Sequence, residues 1–189
     1  MFVEVHLIQN FAPSNLNRDD TNNPKDCVFG GVRRARISSQ CLKRAIRFDP
    51  HFEQVSGIPV SQRTRLMADE ISNILQREGL NSESAREKAN EFSKHYSSKK
   101  GKLDDDNRTN VMLFISDAEV EDIAGLIKDA ELGDIKKIAE DFAKANSDHP
   151  GAPDIAMFGR MLADRPETNI DAACQVAHAI STHSVNMDI

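Results

Sequence analysis

A chain of 189 residues, 39% hydrophobic and 29% charged, is long enough to bury a core and too mixed in composition for a disordered tail. No apolar run approaches the ~20 residues of a membrane span, and the three cysteines (Cys27, Cys41, Cys174) form no Cys-x-x-Cys pair, which excludes a disulfide framework and fits a reducing cytoplasm. The formal net charge of −6 speaks against nucleic acid only as an average: residues 17–47 hold eight Lys/Arg against three Asp.

In chain order, residues 2–8 alternate, with Val3, Val5 and Leu7 on one side and Glu4 and His6 on the other, which predicts a strand. The opening residues have neither the basic start nor the cleavage site of a secretory leader. Residues 10–31, rich in Asn, Asp and Pro and closed by Gly30-Gly31, predict a long loop of the kind that is either functional or disordered. Residues 32–37 predict a short arginine-loaded strand with Arg34 and Arg36 on one side. Ser38 or Ser39 then caps a helix that runs to Arg47. Its apolar stripe is Leu42, Ala45 and Ile46, while Gln40, Lys43, Arg44 and Arg47 recur at i, i+3, i+4 and i+7 on the opposite face.

From about residue 58 the pattern turns to helices with acidic faces. They are predicted at 61–78, 83–96, 117–129, 133–145, 153–163 and 168–183, with a charged loop at 97–107 and a strand at 110–115. The helix 153–163 is apolar on more than one side: Ile155, Phe158 and Leu162 form one stripe, Met157 and Met161 another. No internal repeat is visible. One strand and one helix do not make a sheet domain with its own core, so partner strands are expected from elsewhere in the protein or from another subunit.

The chemistry these residues suit is anion binding. Gly30-Gly31 lets backbone turn sharply and approach a ligand, and arginine forks beside serines at a helix start are apt partners for phosphate. Enzymatic readings have less to stand on. Asp19, Asp20 and Asp26 beside arginines suggest a cation-dependent ribonuclease, with Asp26 as the residue to suspect. Cys174 and His178 fall at i, i+4 on a predicted helix but have no third ligand. No phosphate-binding glycine motif and no nucleophile elbow occurs. A purely structural subunit that binds protein neighbours through its acidic helices is the remaining alternative.

Two blocks resemble a known family. Asn17-Arg18-Asp19-Asp20, Lys25-Asp26, Phe29-Gly30-Gly31, Arg33-Arg34, Arg36-Ile37-Ser38-Ser39-Gln40 and Leu42-Lys43-Arg44 form the first; 154–163 with 172–183 form the second. Together they resemble the CasC family, the backbone subunits of the type I-E Cascade complex in CRISPR interference. The resemblance implies an α+β protein: the first part of an RRM-like (ferredoxin-like) palm at 1–57, a mainly helical fingers insertion at 58–181, and the start of the return to the palm at 182–189. The remaining palm and the thumb of that family are not in this sequence.

It further implies a non-catalytic, cytoplasmic subunit that needs no cofactor or metal and no membrane. Its partners are CRISPR RNA, target DNA reached through guide pairing, other copies of itself and other Cascade subunits. The positions implied to hold RNA are Arg18, Lys25, Ser38, Gln40, Lys43, Arg44 and Arg47. Met161 is implied as an apolar wedge against unstacked bases, with Met157 as the alternative. Arg33, Arg34 and Arg36 match as well, but some are expected to form ion pairs with Asp19, Asp20 or Asp26.

Overall fold

The computed structural model describes residues 1–146 and 149–186. The chain divides into two compact units, Met1–Ile46 with Val176–Ile189, and Arg47–Gln175. It is α+β, as the sequence leads one to expect.

The first unit is built on a hairpin. Strands β1 (Asp26–Phe29) and β2 (Val32–Ile37) pair antiparallel, with Phe29 opposite Val32 across Gly30 and Gly31. Both glycines have positive φ, 63° and 76°, as a two-residue type I′ turn requires. A short third strand, β5 (Ala179–Ile180), adds to the other edge of β2, and residues 181–185 continue beside it through Ser181 N–H to Ala35 O and Val185 N–H to Arg33 O. Helix α1 (Ser39–Arg47) follows β2 directly.

The second unit carries the apolar core. Helix α2 (Pro50–Ser56) starts on the Asp49 cap with proline at its first position and stops at Gly57, which is left-handed. Helices α3 (Met67–Arg77), α4 (Ser82–Ser97), α5 (Asp117–Ile127) and α6 (Ile135–Ala145) bury Met67, Ile71, Leu75, Phe92, Ile123, Ile127 and Ile135 completely. Phe92 stacks on Tyr96 and meets Phe142 edge-on at 5.9 Å, so aromatic rings join α4 to α6. Strands β3 (Gln62–Thr64) and β4 (Leu113–Ile115) form an antiparallel ribbon. Helix α7 (Pro153–Phe158) follows. Among the described residues no helix is long and apolar enough to cross a membrane.

Several expectations need correction. Residues 2–8 alternate like a strand but form none among the described residues. The expected loop 10–31 contains β1, which the alternation of 26–29 is too short to announce. The expected helix 61–78 is a strand and a helix, because Gln62–Thr64 pair with β4, far along the chain. The expected helix 153–163 stops at Phe158, where Gly159 takes φ 75° and Arg160 bonds to the backbone of Ile170 instead.

The expected helix 168–183 does not form. Its amide donors are taken by distant carbonyls: Ala173 N–H by Ala156 O, Cys174 N–H by Met157 O, and β5 by β2. This alanine-rich run has helix propensity, and tertiary hydrogen bonding overrides it. Cys174 and His178 therefore share no helical face. Of the expected return at 182–189, residues 187–189 lie outside the described residues.

Candidate nucleic-acid interface

The basic stretch is organised by hydrogen bonds that the sequence does not advertise. Residues 17–25 fold back on themselves: Lys25 N–H donates to Asn17 O at 2.9 Å, and Asp19 N–H to Asn23 O at 2.8 Å. The Asp19 carboxylate ties the tip by accepting from Thr21 Oγ1–H, Thr21 N–H and Asn23 N–H. Those donors, the Thr21 hydroxyl first, hold its pKa below the ordinary value. Arg18 is exposed and donates to Asn22 Oδ1, whose residue adopts φ 70°.

Asn17 then fastens this turn to the next element. Its Oδ1 accepts from Ser38 N–H at 2.9 Å, at the entry to α1. Ser38 is buried, and its hydroxyl accepts from Cys41 N–H at 3.3 Å, which makes it the helix cap. Ser39 N–H donates to His178 Nδ1 at 2.9 Å. The Arg18–Lys25 turn and the start of α1 are thereby one piece. Gln40 and Arg44 stand exposed on α1 and Lys43 is half-buried.

The hairpin arginines divide. Arg33 pairs with Asp26 at 2.5 Å. Arg34 gives its donors to carbonyls, Nε to Phe29 O and Nη1 to Ser181 O and Thr182 O, so it clasps the chain that follows β5. Arg36 is half-buried with Nε unpartnered among the described residues. Lys25, Asp26, Arg33 and Arg36 with Asp19, Asn23 and Pro24 line a cleft of about 250 Å³.

Arg47 and Met161 belong to the second unit. Arg47 sits between Phe114 and Phe158, 4.5 and 5.0 Å from their ring centres, and donates from Nε to Asp154 Oδ2 at 2.8 Å. Asp154 is fully buried and also accepts from Ser61 N–H at 2.7 Å and Ser61 Oγ–H at 2.6 Å. Every charge in this knot is met, as burial demands. Met161 follows the Gly159 turn and is 82% exposed, whereas Met157 is half-buried.

Sequence reasoning missed Asp154, Arg160 and Glu119. Arg160 is buried and donates from Nη1 to Glu119 Oε1 at 2.8 Å and to Phe114 O, and from Nε to Thr168 O. Glu119 in turn closes a capping box with Ser116 at the start of α5. The Ser-x-x-Glu spacing at 116–119 was the available signal for that box; nothing local announces its arginine. Among the described residues no group of three or more His, Cys, Asp or Glu side chains could hold a metal ion.

The geometry is that of a basic turn-and-helix platform attached to a β-hairpin, accompanied by a helical unit. Comparison with known proteins gives it a family. The model of the CT1975-like protein family matches residues 3–189, and the chain belongs to that family. Among the solved structures similar to it are two surveillance complexes. One, "CRISPR RNA-guided surveillance complex", is 30% identical with a TM-score of 0.68 over 90% of this chain and 55% of that one. The other, "CRISPR RNA-guided surveillance complex, pre-nicking", is 30% identical with a TM-score of 0.69 over 90% and 50%. The chain thus spans about half the length of the structures it matches. No curated protein matches it.

Proposed function

We propose that this chain is the N-terminal half of a CasC-type backbone subunit of a type I-E CRISPR surveillance complex. It holds the sugar-phosphate backbone of CRISPR RNA and leaves the bases displayed for pairing with target DNA. Sequence is then read by base pairing while protein holds the backbone, a division of labour general to RNA-guided effectors. In this reading residues 1–57 are the start of the palm, 58–181 the fingers and 182–189 the start of the return to the palm. Its partners are the guide RNA, target DNA through that guide, further copies of the subunit and the other Cascade proteins, in the cytoplasm.

The observation that carries the reading is the tie from Asn17 Oδ1 to Ser38 N–H. It joins the turn bearing Arg18 and Lys25 to the helix bearing Gln40, Lys43 and Arg44, a ready cradle for consecutive phosphates. The subunit does no chemistry itself. Asp26, the residue a ribonuclease would use, is held by Arg33, and the Asp19 carboxylate is consumed by its own turn. Ser38 acts by capping α1, whereas Arg47 is engaged by its pairing with Asp154 in the second unit.

The test is RNA binding as a function of salt. Arg18→Ala and Lys43→Ala each weaken binding with little sequence preference, and each reduces the salt slope by about 0.7 for a lost single-strand phosphate contact. Unchanged affinity in both variants contradicts the proposal. RNA cleavage with Mg²⁺ that Asp26→Ala abolishes contradicts the non-catalytic part of it.

A further inference from the structure

The cleft beside the hairpin holds two charged groups that the protein leaves without hydrogen bonds. Strand β1 brings Asp26 to it and β2 brings Arg36, while the turn before β1 supplies Asp19, Asn23 and Lys25. The Asp19 carboxylate is used up inside that turn, by Thr21 and Asn23. Asp26 is different. Arg33 Nε lies 2.5 Å from its Oδ2 in an ion pair that lacks the alignment of a hydrogen bond, and 24% of the Asp26 side chain stays open. The Arg36 guanidinium has neither a hydrogen-bond nor an ion-pair partner among the described residues, and its Nε is buried.

These two groups ask for opposite things. A half-buried guanidinium with unused donors favours an acceptor, and a carboxylate with unused lone pairs favours a donor. One cleft of about 250 Å³ is lined by both, with room for a sugar-phosphate unit.

We infer that this cleft reads the sugar of the bound strand: a ribose 2′-hydroxyl donates to the Asp26 carboxylate and accepts from the Arg36 guanidinium, so the two residues select RNA over DNA. The inference rests on the RNA-binding reading above and adds to it a determinant of sugar identity. The 2′-hydroxyl is the one group repeated along an RNA backbone that both donates and accepts, and DNA lacks it. Other occupants fit less well. A phosphate seated on Arg36 alone would set its charge against Asp26. A metal ion on Asp26 would stand among Lys25, Arg33 and Arg36, and the same three cations turn away a lysine or arginine from a protein partner. A neutral hydroxyl suits both neighbours.

The experiment measures binding of the full chain to three short strands of one base sequence, with ribose, 2′-deoxyribose and 2′-fluoro sugars. Fluorine keeps an RNA-like sugar pucker but cannot donate, so it separates the hydroxyl from the shape of the strand. The wild-type chain is expected to bind the ribose strand roughly tenfold more tightly than either of the others, the worth of a hydrogen bond to a charged group. The salt slope is the same for all three strands, because their phosphates are the same. In Asp26→Ala and in Arg36→Met that preference falls to about twofold or less. Removing a charge shifts the affinity for all three strands alike, so the ratio reports the hydroxyl contact, and a merely structural role leaves it at the wild-type value. Equal wild-type affinity for ribose and 2′-fluoro strands, which needs no variant to fold, overturns the site, as does an unchanged ratio in Asp26→Ala. Ribose and deoxyribose strands bound alike, and both weakened by Lys43→Ala, overturn this site alone; a wild-type chain that binds no strand overturns RNA binding altogether.

Discussion

Removing the carboxylate of Asp154 tests the buried polar cluster that it forms with Arg47 and Ser61. Asp154→Ala leaves the Arg47 guanidinium, whose side chain is only 16% exposed, without its partner, and strips Ser61 N–H and Oγ–H of their acceptor. Breaking a buried pair by deleting one member costs about 3–5 kcal/mol. Arg47 keeps some contact with water and keeps its two aromatic neighbours, so the lower half of that range, about 3–4 kcal/mol, applies. At a urea dependence of roughly 2 kcal/mol per molar, the midpoint falls by about 1.5–2 M.

Arg47→Met removes the other half of the pair and leaves a buried carboxylate held only by Ser61, so its loss is comparable. The double variant loses less than the two single losses added, because neither charge is then stranded. The measurement is urea unfolding followed by circular dichroism, with RNA binding against salt run in parallel on Arg47→Met. A midpoint shift under about 0.5 M for Asp154→Ala refutes the stability argument. A salt slope reduced by about 0.7 in Arg47→Met, at unchanged stability, refutes the assignment of Arg47 to support and makes it a phosphate contact.

Two glycines with similar φ differ in what a Cβ would meet. At Gly31 a Cβ meets nothing, so Gly31→Ala lowers the melting temperature by only about 3–6 °C for ~1–2 kcal/mol of left-handed strain. At Gly159 the same atom lands 2.7 Å from Ile170 O, so Gly159→Ala is clearly more damaging; equal shifts in a thermal melt speak against the tight turn. Asp19 makes a pH prediction. Its folded pKa lies below the ordinary 3.8, so the turn gains stability above that value and loses it as pH falls through the depressed one. The amide shifts of Thr21 and Asn23, followed by NMR, titrate with a midpoint below 3.8; one at or above it contradicts the hydrogen bonding.

What the sequence made legible was local in origin. The serine cap of α1, the glycine turn and the helices at 83–96, 117–129 and 133–145 all follow from contacts within one or two turns, and they formed close to their expected bounds. What it hid was set by residues far apart in the chain. Gln62–Thr64 look like the first turn of a helix until β4 pairs with them, and 168–183 look helical until Ala156, Met157 and β2 take their donors. Residues 2–8 err the other way: the alternation suits a strand, and none forms there among the described residues. At the site, Asn17 read as one more polar loop residue, whereas its side chain joins turn to helix across 21 positions.

The same distinction changes what the basic stretch means. Counted along the chain it holds eight cations, and a phosphate backbone would be expected to feel all of them. In three dimensions Arg33 meets Asp26, Arg47 meets Asp154 from 107 residues away, and Arg34 keeps its charge but turns its donors toward carbonyls. Three of the eight therefore have their charge or their donors engaged within the protein. In the proposed reading, attraction for RNA falls to the turn and to the exposed side of α1. A helical wheel groups Arg47 with Gln40, Lys43 and Arg44 because it knows only rotation about one axis. A carboxylate buried in a later helix engages Arg47, so in the proposed reading the face offered to a phosphate backbone is one turn shorter than the wheel implies.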